Sequence, residues 1–386
     1  MNKKEYRLLI KNLCKLSNID IEFDKITTIS GYNNVGKSTI LKVLYVILKA
    51  YNEVNNFTKD KNIKEINFKQ LLSLFSSEFE LPLEVVKNFE IKELKKVIIN
   101  FKFLKVIESY LKGIFNIKEE CENLEIELFH ENELIISIVK NNTQTKSFVN
   151  LNKKINLDVT YISNTELLNY SSYIISAMSS NISGLGSPGS VPDYDKDLIN
   201  KLASENRNID KFNLDLNRFI NNQDCQENIR YDMLKYYIKY MENSNLNEEE
   251  NGKYIIFDST GIAKIKDEDI YVDPSLLGHG LKLSRIIKTL EQNKYLNKDS
   301  FLLIDEPENG LHTRVVKALI KYITSLECNT IITTHNVQVL TQYKDIKSNH
   351  IYVQNNGSRT KGKNVPLSTA ISKLSEPIIG RFKFNE

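Results

Sequence analysis

An α/β fold built around a parallel sheet is what this sequence predicts, and three stretches predict it. Each is a short apolar run that ends in chemistry-bearing residues: ITTIS at 26–30 enters GYNNVGKST, FLLI at 301–304 enters DEPENGLH, and TIITT at 330–334 enters HN. FLLI and TIITT read as the continuous runs of strands buried on both faces of a parallel sheet. RVVKALIKYIT, which lies between the last two, has helical spacing, so strand and helix alternate as a parallel sheet requires.

The remaining elements follow from local pattern. YRLLI, IDIEF and ITTIS, separated by polar turns, have the look of strands near a sheet edge, and TILKVLYVILKAY has helical spacing. From about 52 to 120 the text is rich in Lys and Asn, with apolar residues every three or four positions (QLLSLF, LEVVKNFEIKEL), which predicts surface helices. LEIELFHENELIISIVK at 124–140 alternates and turns at HENE, a hairpin, and DVTYIS at 158–163 is a compact strand. GLGSPGSVPD at 184–193 reads as flexible from its Gly, Ser and Pro content. Helical text then runs to YDMLKYYIKYME at 231–242, and KYIIFDSTGIAKIKDEDIYV at 253–272 predicts a second hairpin around Ser-Thr-Gly.

Bulk properties bound the function. The 386 residues, 41% of them apolar, are enough to bury a substantial core. Lys and Arg total 52 against 49 Asp and Glu, a net charge of +3 with lysines spread along the chain, so charge argues neither for nor against nucleic acid. Cys14, Cys121, Cys225 and Cys328 are far apart and form no C-x-x-C pair, which fits reduced thiols rather than a disulfide framework or zinc site. No apolar run reaches membrane-span length and the start, MNKKEYRLLIKNLCK, is too charged for a leader, so a cytoplasmic protein without a membrane segment is expected.

GYNNVGKST at 31–39 fits G-x-x-x-x-G-K-[ST] between a predicted strand and a predicted helix. Gly31 and Gly36 let the loop wrap so that backbone N–H groups and the helix N-terminus face phosphates. Asn33, Asn34 and Thr39 line the same loop, with Asn34 nearer the γ-phosphate. Lys37 would neutralise β and γ oxygens, and Ser38 would hold Mg²⁺. After FLLI, Asp305 is placed to hold the magnesium through water, Glu306 to polarise an attacking water, and Pro307 stops the strand. His335, at the tip of the next strand, is the candidate sensor of the γ-phosphate and attacking water. ATP with Mg²⁺ is the implied ligand. The chain has no N-K-x-D guanine reader, which disfavours GTP.

Together, G-x-N-N-x-G-K-S-T, the G-x-G of SLLGHGLK, L-I-D-E-P-E-N-G-L-H and T-T-H-N resemble the AAA-type ATPases of the ABC/SMC/RecF class. Within that class the chain looks most similar to the OLD (overcoming lysogenisation defect) group and its stand-alone relatives lacking a Toprim nuclease. The resemblance implies a P-loop NTPase head, with a mixed parallel core sheet, an antiparallel β subdomain and a helical insertion. Its expected parts are an N-terminal lobe over 1–163, a helical lid over 164–250 and a C-terminal lobe over 251–386. It further implies two heads closing on two ATPs as a homodimer, with Gly278 and Gly280 facing the γ-phosphate of the partner's nucleotide. The departure is Leu277 where transport-type members carry serine, with His279 between the glycines, and a plain helix-start turn is the competing reading. Asn164 stands where the class usually has a glutamine; it is a candidate for touching magnesium or the attacking water, a strand-end cap is the equal alternative, and Asn34 is the better candidate for that contact. Glu308, Asn309 and His312 match the run expected between heads, or form the first turn of the next helix.

About 260 residues separate Lys37 from Asp305, too few for long coiled-coil arms. Arg207, Lys211, Arg218 and Arg230, interleaved with Phe and Tyr, either contact phosphate backbones or form a solvated helical face. Only 50 residues follow Asn336, too few for a Toprim nuclease, so any cutting or toxic output is expected from a separate effector protein. The expectation is an ATP hydrolase that signals to DNA or an effector in anti-phage defence or DNA repair. The alternative is a nucleotide-gated DNA clamp or scaffold with negligible turnover.

Overall fold

The computed structural model describes residues 6–59, 91–115, 123–141, 145–151, 155, 157–179, 191–204, 253–258, 260–268, 270–344, 346–356 and 359–375. QLLSLF, residues 184–190, the arginines and lysine at 207–230, and YDMLKYYIKYME lie outside these ranges. The described strands are β1 (Tyr6–Leu13), β2 (Leu16–Phe23), β3 (Ile26–Ser30), β4 (Leu124–His130), β5 (Glu133–Lys140), β6 (Thr145–Val149), β7 (Val159–Ile162), β8 (Ile255–Phe257), β9 (Ala263–Asp267), β10 (Ile270–Val272), β11 (Phe301–Ile304), β12 (Asn329–Thr334), β13 (Asn349–Asn356) and β14 (Arg359–Asn364). The described α-helices are α1 (Lys37–Lys59), α2 (Ile91–Phe115), α3 (Ser171–Ser179), α4 (Asp193–Ala203), α5 (His279–Gln292), α6 (Thr313–Ser325), α7 (Val337–Thr341) and α8 (Leu367–Ser375).

The chain divides into two units, the first Met1–Tyr161 with Lys298–Glu308 and His312–Glu386, the second Ile162–Asn297 with Asn309–Leu311. The first is organised by an eleven-stranded sheet of order β6-β5-β4-β1-β2-β14-β13-β3-β12-β11-β7. Alternation along β1 and β2 puts Tyr6, Leu8 and Ile10, opposite Phe23, Ile21 and Ile19, on one buried face. There Tyr6 stacks on Phe23 at 5.4 Å and meets Phe301 edge-on at 5.2 Å. The other face is charged and self-paired, with Arg7 2.7 Å from Asp20 and Lys11 2.9 Å from Glu125.

The expected edge position of the first three strands is corrected: β6 and β7 are the edges, β3 is interior, and so are β1 and β2. Their alternation reports one wet face, which an interior antiparallel strand also has. The strands that separate β2 from β3, namely β13 and β14, come from the far end of the chain, which the sequence reading left without elements.

β3, β12 and β11 are parallel neighbours, and β13 pairs parallel with β3 on its other side. Their carboxyl ends therefore share one sheet edge, where open α/β sheets bind ligands. β11 and β12 are buried at every residue, which is why they read as unbroken apolar or Thr text. α1 is buried on every face through Ile40, Leu41, Val43, Leu44, Tyr45 and Val46, so it is a core helix, and α2 packs along it.

In the second unit β10, β9 and β8 form a three-stranded sheet, one strand more than the hairpin expected at 253–272. The Ser-Thr-Gly turn is closed by Asp258, whose Oδ1 accepts from the Thr260 and Ile262 N–H groups at 2.9 and 3.0 Å. The second reversal is at Glu268, which has φ 51°, within the Asp267-Glu268-Asp269 stretch whose sequence reads as a hairpin turn. α5 contributes Leu283, Ile286, Ile287 and Leu290, buried at the three- and four-residue spacing of an amphipathic helix. Among the described residues, no helix is long and apolar enough to cross a membrane.

Candidate active site

The phosphate loop leaves β3 under β13. A Cβ at Gly31 would lie 2.4 Å from the Val353 carbonyl oxygen, so only glycine allows this exit. The loop then turns through Asn34, φ 66°, and Gly36, φ 90°, left-handed conformations that favour Asn and Gly. α1 opens at Lys37, with Ile40 N donating to Gly36 O at 3.1 Å. The first-turn N–H groups have no intrahelical acceptor, and the turn contains no acidic side chain, so the positive end of the helix is kept for an anion. Asn33 and Asn34 are exposed, while Ser38 and Thr39 are half-buried at the loop.

Lys37 is 4% exposed, and its Nζ donates to the carbonyl oxygens of Gly31 and Tyr32, each at 3.0 Å. The same nitrogen lies 3.5 Å from Glu306 Oε1. Burial lowers its pKa, and Glu306, Asp305 and Glu308 pull it back up. Lys37 and Glu306, 269 positions apart in sequence, thus share one site.

At the end of β11, Asp305 Oδ2 accepts from the Tyr161 hydroxyl at 3.1 Å, and its Oδ1 accepts from the Thr333 hydroxyl. Thr333 Oγ1 also accepts from the Glu306 N–H at 3.0 Å. Glu306 has φ 46°, uncommon for a residue with a long side chain. Held that way, its Oε1 lies 3.0 Å from His335 Nδ1, an ion-pair contact when the imidazole is protonated. Glu308, two residues on, is 6% exposed and accepts from the Thr334 hydroxyl through Oε1; burial raises its pKa.

Two protein oxygens, Ser38 Oγ and an Asp305 carboxylate oxygen, suit Mg²⁺, which takes hard oxygen ligands and completes its octahedron with phosphate and water. The helix end, Lys37 and this donor set together fit a nucleoside triphosphate with magnesium.

The other sequence-derived candidates divide between the units. In the first unit, His312 is exposed and caps α6, its Nδ1 accepting from Arg314 N at 3.3 Å, whereas Asn309 belongs to the second unit and is exposed. In the second unit, Asn164 Oδ1 accepts from Glu166 N at 2.9 Å and caps the 3₁₀ turn Thr165–Tyr170. Gly278 is the N-cap of α5 with φ −69°, and a Cβ there would meet nothing within 4 Å. Gly280 sits in the first turn, which has no acidic side chain. Between them His279 Nδ1 lies 2.8 Å from Thr165 Oγ1, with its pKa lowered by burial, and Lys282 Nζ pairs with Glu166 at 2.8 Å.

The family model for the AAA ATPase domain matches residues 6–340. The chain belongs to the AAA ATPase domain family. No curated protein matches it at a significant level. Among solved structures it is similar to the Smc head domain with an extended coiled coil bound to the C-terminal domain of ScpA from Pyrococcus furiosus, at 13% identity and TM-score 0.41, covering 96% of this chain and 98% of that one. The SMC head domain of Thermotoga maritima matches at 13% identity and TM-score 0.40, over 93% and 98% of the two chains. An SmcHead bound to the C-winged helix domain of ScpA matches at 12% and 0.41, over 95% and 98%.

In this AAA ATPase, sequence reading missed Tyr161, Thr333 and Thr334, which orient the acidic residues. The signal was present in TIITT: two threonines at the tip of a buried strand, where a hydroxyl needs a partner.

Proposed function

We propose that this AAA ATPase hydrolyses ATP with Mg²⁺, and that ATP-bound heads pair as a homodimer to pass nucleotide state to DNA or a separate effector protein. The observation that carries the reading is the meeting of Lys37, Glu306 and His335 within 3.0–3.5 Å at the sheet edge where the phosphate loop begins. Lys37 has three N–H donors, two of them on loop carbonyls and the third side facing Glu306. A triphosphate seated on the α1 N-terminus competes for that lysine, and Glu306 is left to orient water and take its proton. His335 stabilises the charge on Glu306 and senses the γ-phosphate. Magnesium, when bound, neutralises phosphate oxygens and favours departure of ADP.

Pairing rests on the second unit. Nothing in the backbone at Gly278 requires glycine, and α5 presents an uncapped N-terminus beside the exposed Leu276, features that suit the approach of a partner's γ-phosphate. Asn164 serves as a cap in this arrangement, and a role in touching magnesium would require that cap to open. Kinship with the stand-alone OLD group, a cytoplasmic setting, and a task in anti-phage defence or DNA repair complete the proposal. The test is Glu306→Gln. ATP binding should persist, turnover should fall by about 10²-fold or more, and an ATP-dependent dimer should accumulate in gel filtration. A variant that stays monomeric with bound ATP rules out pairing.

A further inference from the structure

Thr333 and Thr334 point to opposite faces of β12, and each hydroxyl both accepts and donates. Thr333 accepts from the Glu306 N–H and donates to Asp305. Thr334 accepts from the Asn336 N–H at 3.0 Å and donates to Glu308. The first clamp shapes the acidic turn, and the second ties that turn to the one carrying His335. We propose that Glu308 is a positioning residue for hydrolysis, which fixes His335 against Glu306 by anchoring the Thr334 hydroxyl.

Three observations carry this inference, which rests on the hydrolytic reading of Glu306 and His335. Glu308 is 6% exposed, so it is not a surface group of the E-N-G-L-H run. Its Oε2 is buried without a hydrogen-bond partner, as is the Tyr343 hydroxyl that feels its charge. A carboxyl kept in so poorly compensated a place is a burden on stability that an apolar residue would avoid. Its Oε1 accepts from the residue preceding His335, whose Nδ1 stands 3.0 Å from Glu306 Oε1. The titratable groups that act on Glu308 are His335 and Glu306, and Glu308 in turn acts on Lys37 and Tyr343. Whether charged or neutral, Oε1 accepts the hydroxyl, so the anchoring does not depend on protonation.

Without that acceptor the Thr334 hydroxyl is left to the Asn336 carbonyl oxygen, 3.5 Å away, and the Asn336 N–H loses a partner of fixed orientation. The turn then loosens and His335 drifts from Glu306. Glu308→Gln keeps a carbonyl acceptor and should hold kcat within about 3-fold of the parent, whereas Glu308→Ala and the isosteric Thr334→Val should lower kcat about 10- to 100-fold. ATP affinity should be unchanged in all three. The deciding readout is a double-mutant cycle: in a His335→Ala background, Glu308→Ala should cost no further turnover. Equal losses in both backgrounds, or a Gln variant as impaired as the Ala variant, would overturn the proposal. If Glu308→Ala fails to fold, the Thr334→Val cycle with His335→Ala gives the same decision, with Thr334→Ser expected to restore turnover. A parent protein with no ATP turnover would instead remove the hydrolytic reading and this inference with it.

Discussion

Replacing Thr333 with valine keeps the shape of a fully buried side chain and deletes one hydroxyl, so it isolates what that hydroxyl contributes. Two bonds go: the acceptor for Glu306 N–H, 3.0 Å away, and the donor to Asp305. An orphaned N–H costs about 1–3 kcal/mol, and a lost bond to a charged group about 1.5–3 kcal/mol. Asp305 keeps the Tyr161 hydroxyl at 3.1 Å, and both acidic residues are only half-buried, so water recovers part of the total. A net loss of roughly 2–3 kcal/mol in stability follows. The effect on turnover is separate. At φ 46° the Glu306 backbone is strained, and its N–H bond to Thr333 helps to hold it there. Released, Glu306 relaxes and its carboxylate moves, for which a fall in kcat of about 10²-fold is expected. Urea unfolding and phosphate release at saturating Mg·ATP measure the two effects, with Thr333→Ser as the variant that retains the hydroxyl. Parent-like turnover in Thr333→Val, or equal damage from Thr333→Ser, would refute the reasoning.

Gly31→Ala drives a Cβ to 2.4 Å from the Val353 oxygen and should abolish ATP binding, whereas Gly278→Ala enters open space and should cost at most about 1 kcal/mol in stability. Loss of ATP-dependent pairing in Gly278→Ala with the fold intact, read by gel filtration, would mark a partner contact; unchanged pairing would leave a plain turn. His350, 7% exposed, has Nδ1 2.6 Å from Thr28 Oγ1 and Nε2 3.1 Å from Ser348 Oγ, and burial lowers its pKa from 6.5 to about 4. The unfolded chain takes up the proton first, so this stability is complete above pH 6.5 and is lost as pH falls to about 4, a swing of roughly 3 kcal/mol. Urea midpoints should therefore drop less between pH 7 and about 4 in His350→Asn than in the parent; parallel curves would count against it.

Much of this was legible because the chemistry sits where buried strands end. Lys37, Asp305, Glu306 and His335 each follow an apolar run, and a parallel sheet gathers such ends on one edge whatever their separation in sequence. Partners were less legible. β13 and β14 read NHIYVQNN and RTKGKN, polar text with little alternation, yet Val353 is what makes Gly31 necessary. Thr333 and Thr334 look like ordinary β-branched strand formers, and only the fold shows that their hydroxyls hold carboxylates. Glu308 belongs to a recognisable run, but its burial depends on β12, a strand reached only after α6.

The most direct test of the central claim is a Mg·ATP titration with a parallel turnover assay, comparing the parent protein with Lys37→Ala. The parent should bind ATP and release phosphate, while the variant, without the charge that bridges loop carbonyls and Glu306, should bind at least about 10-fold more weakly and show no turnover. Equal binding and equal phosphate release by the two proteins would contradict the account.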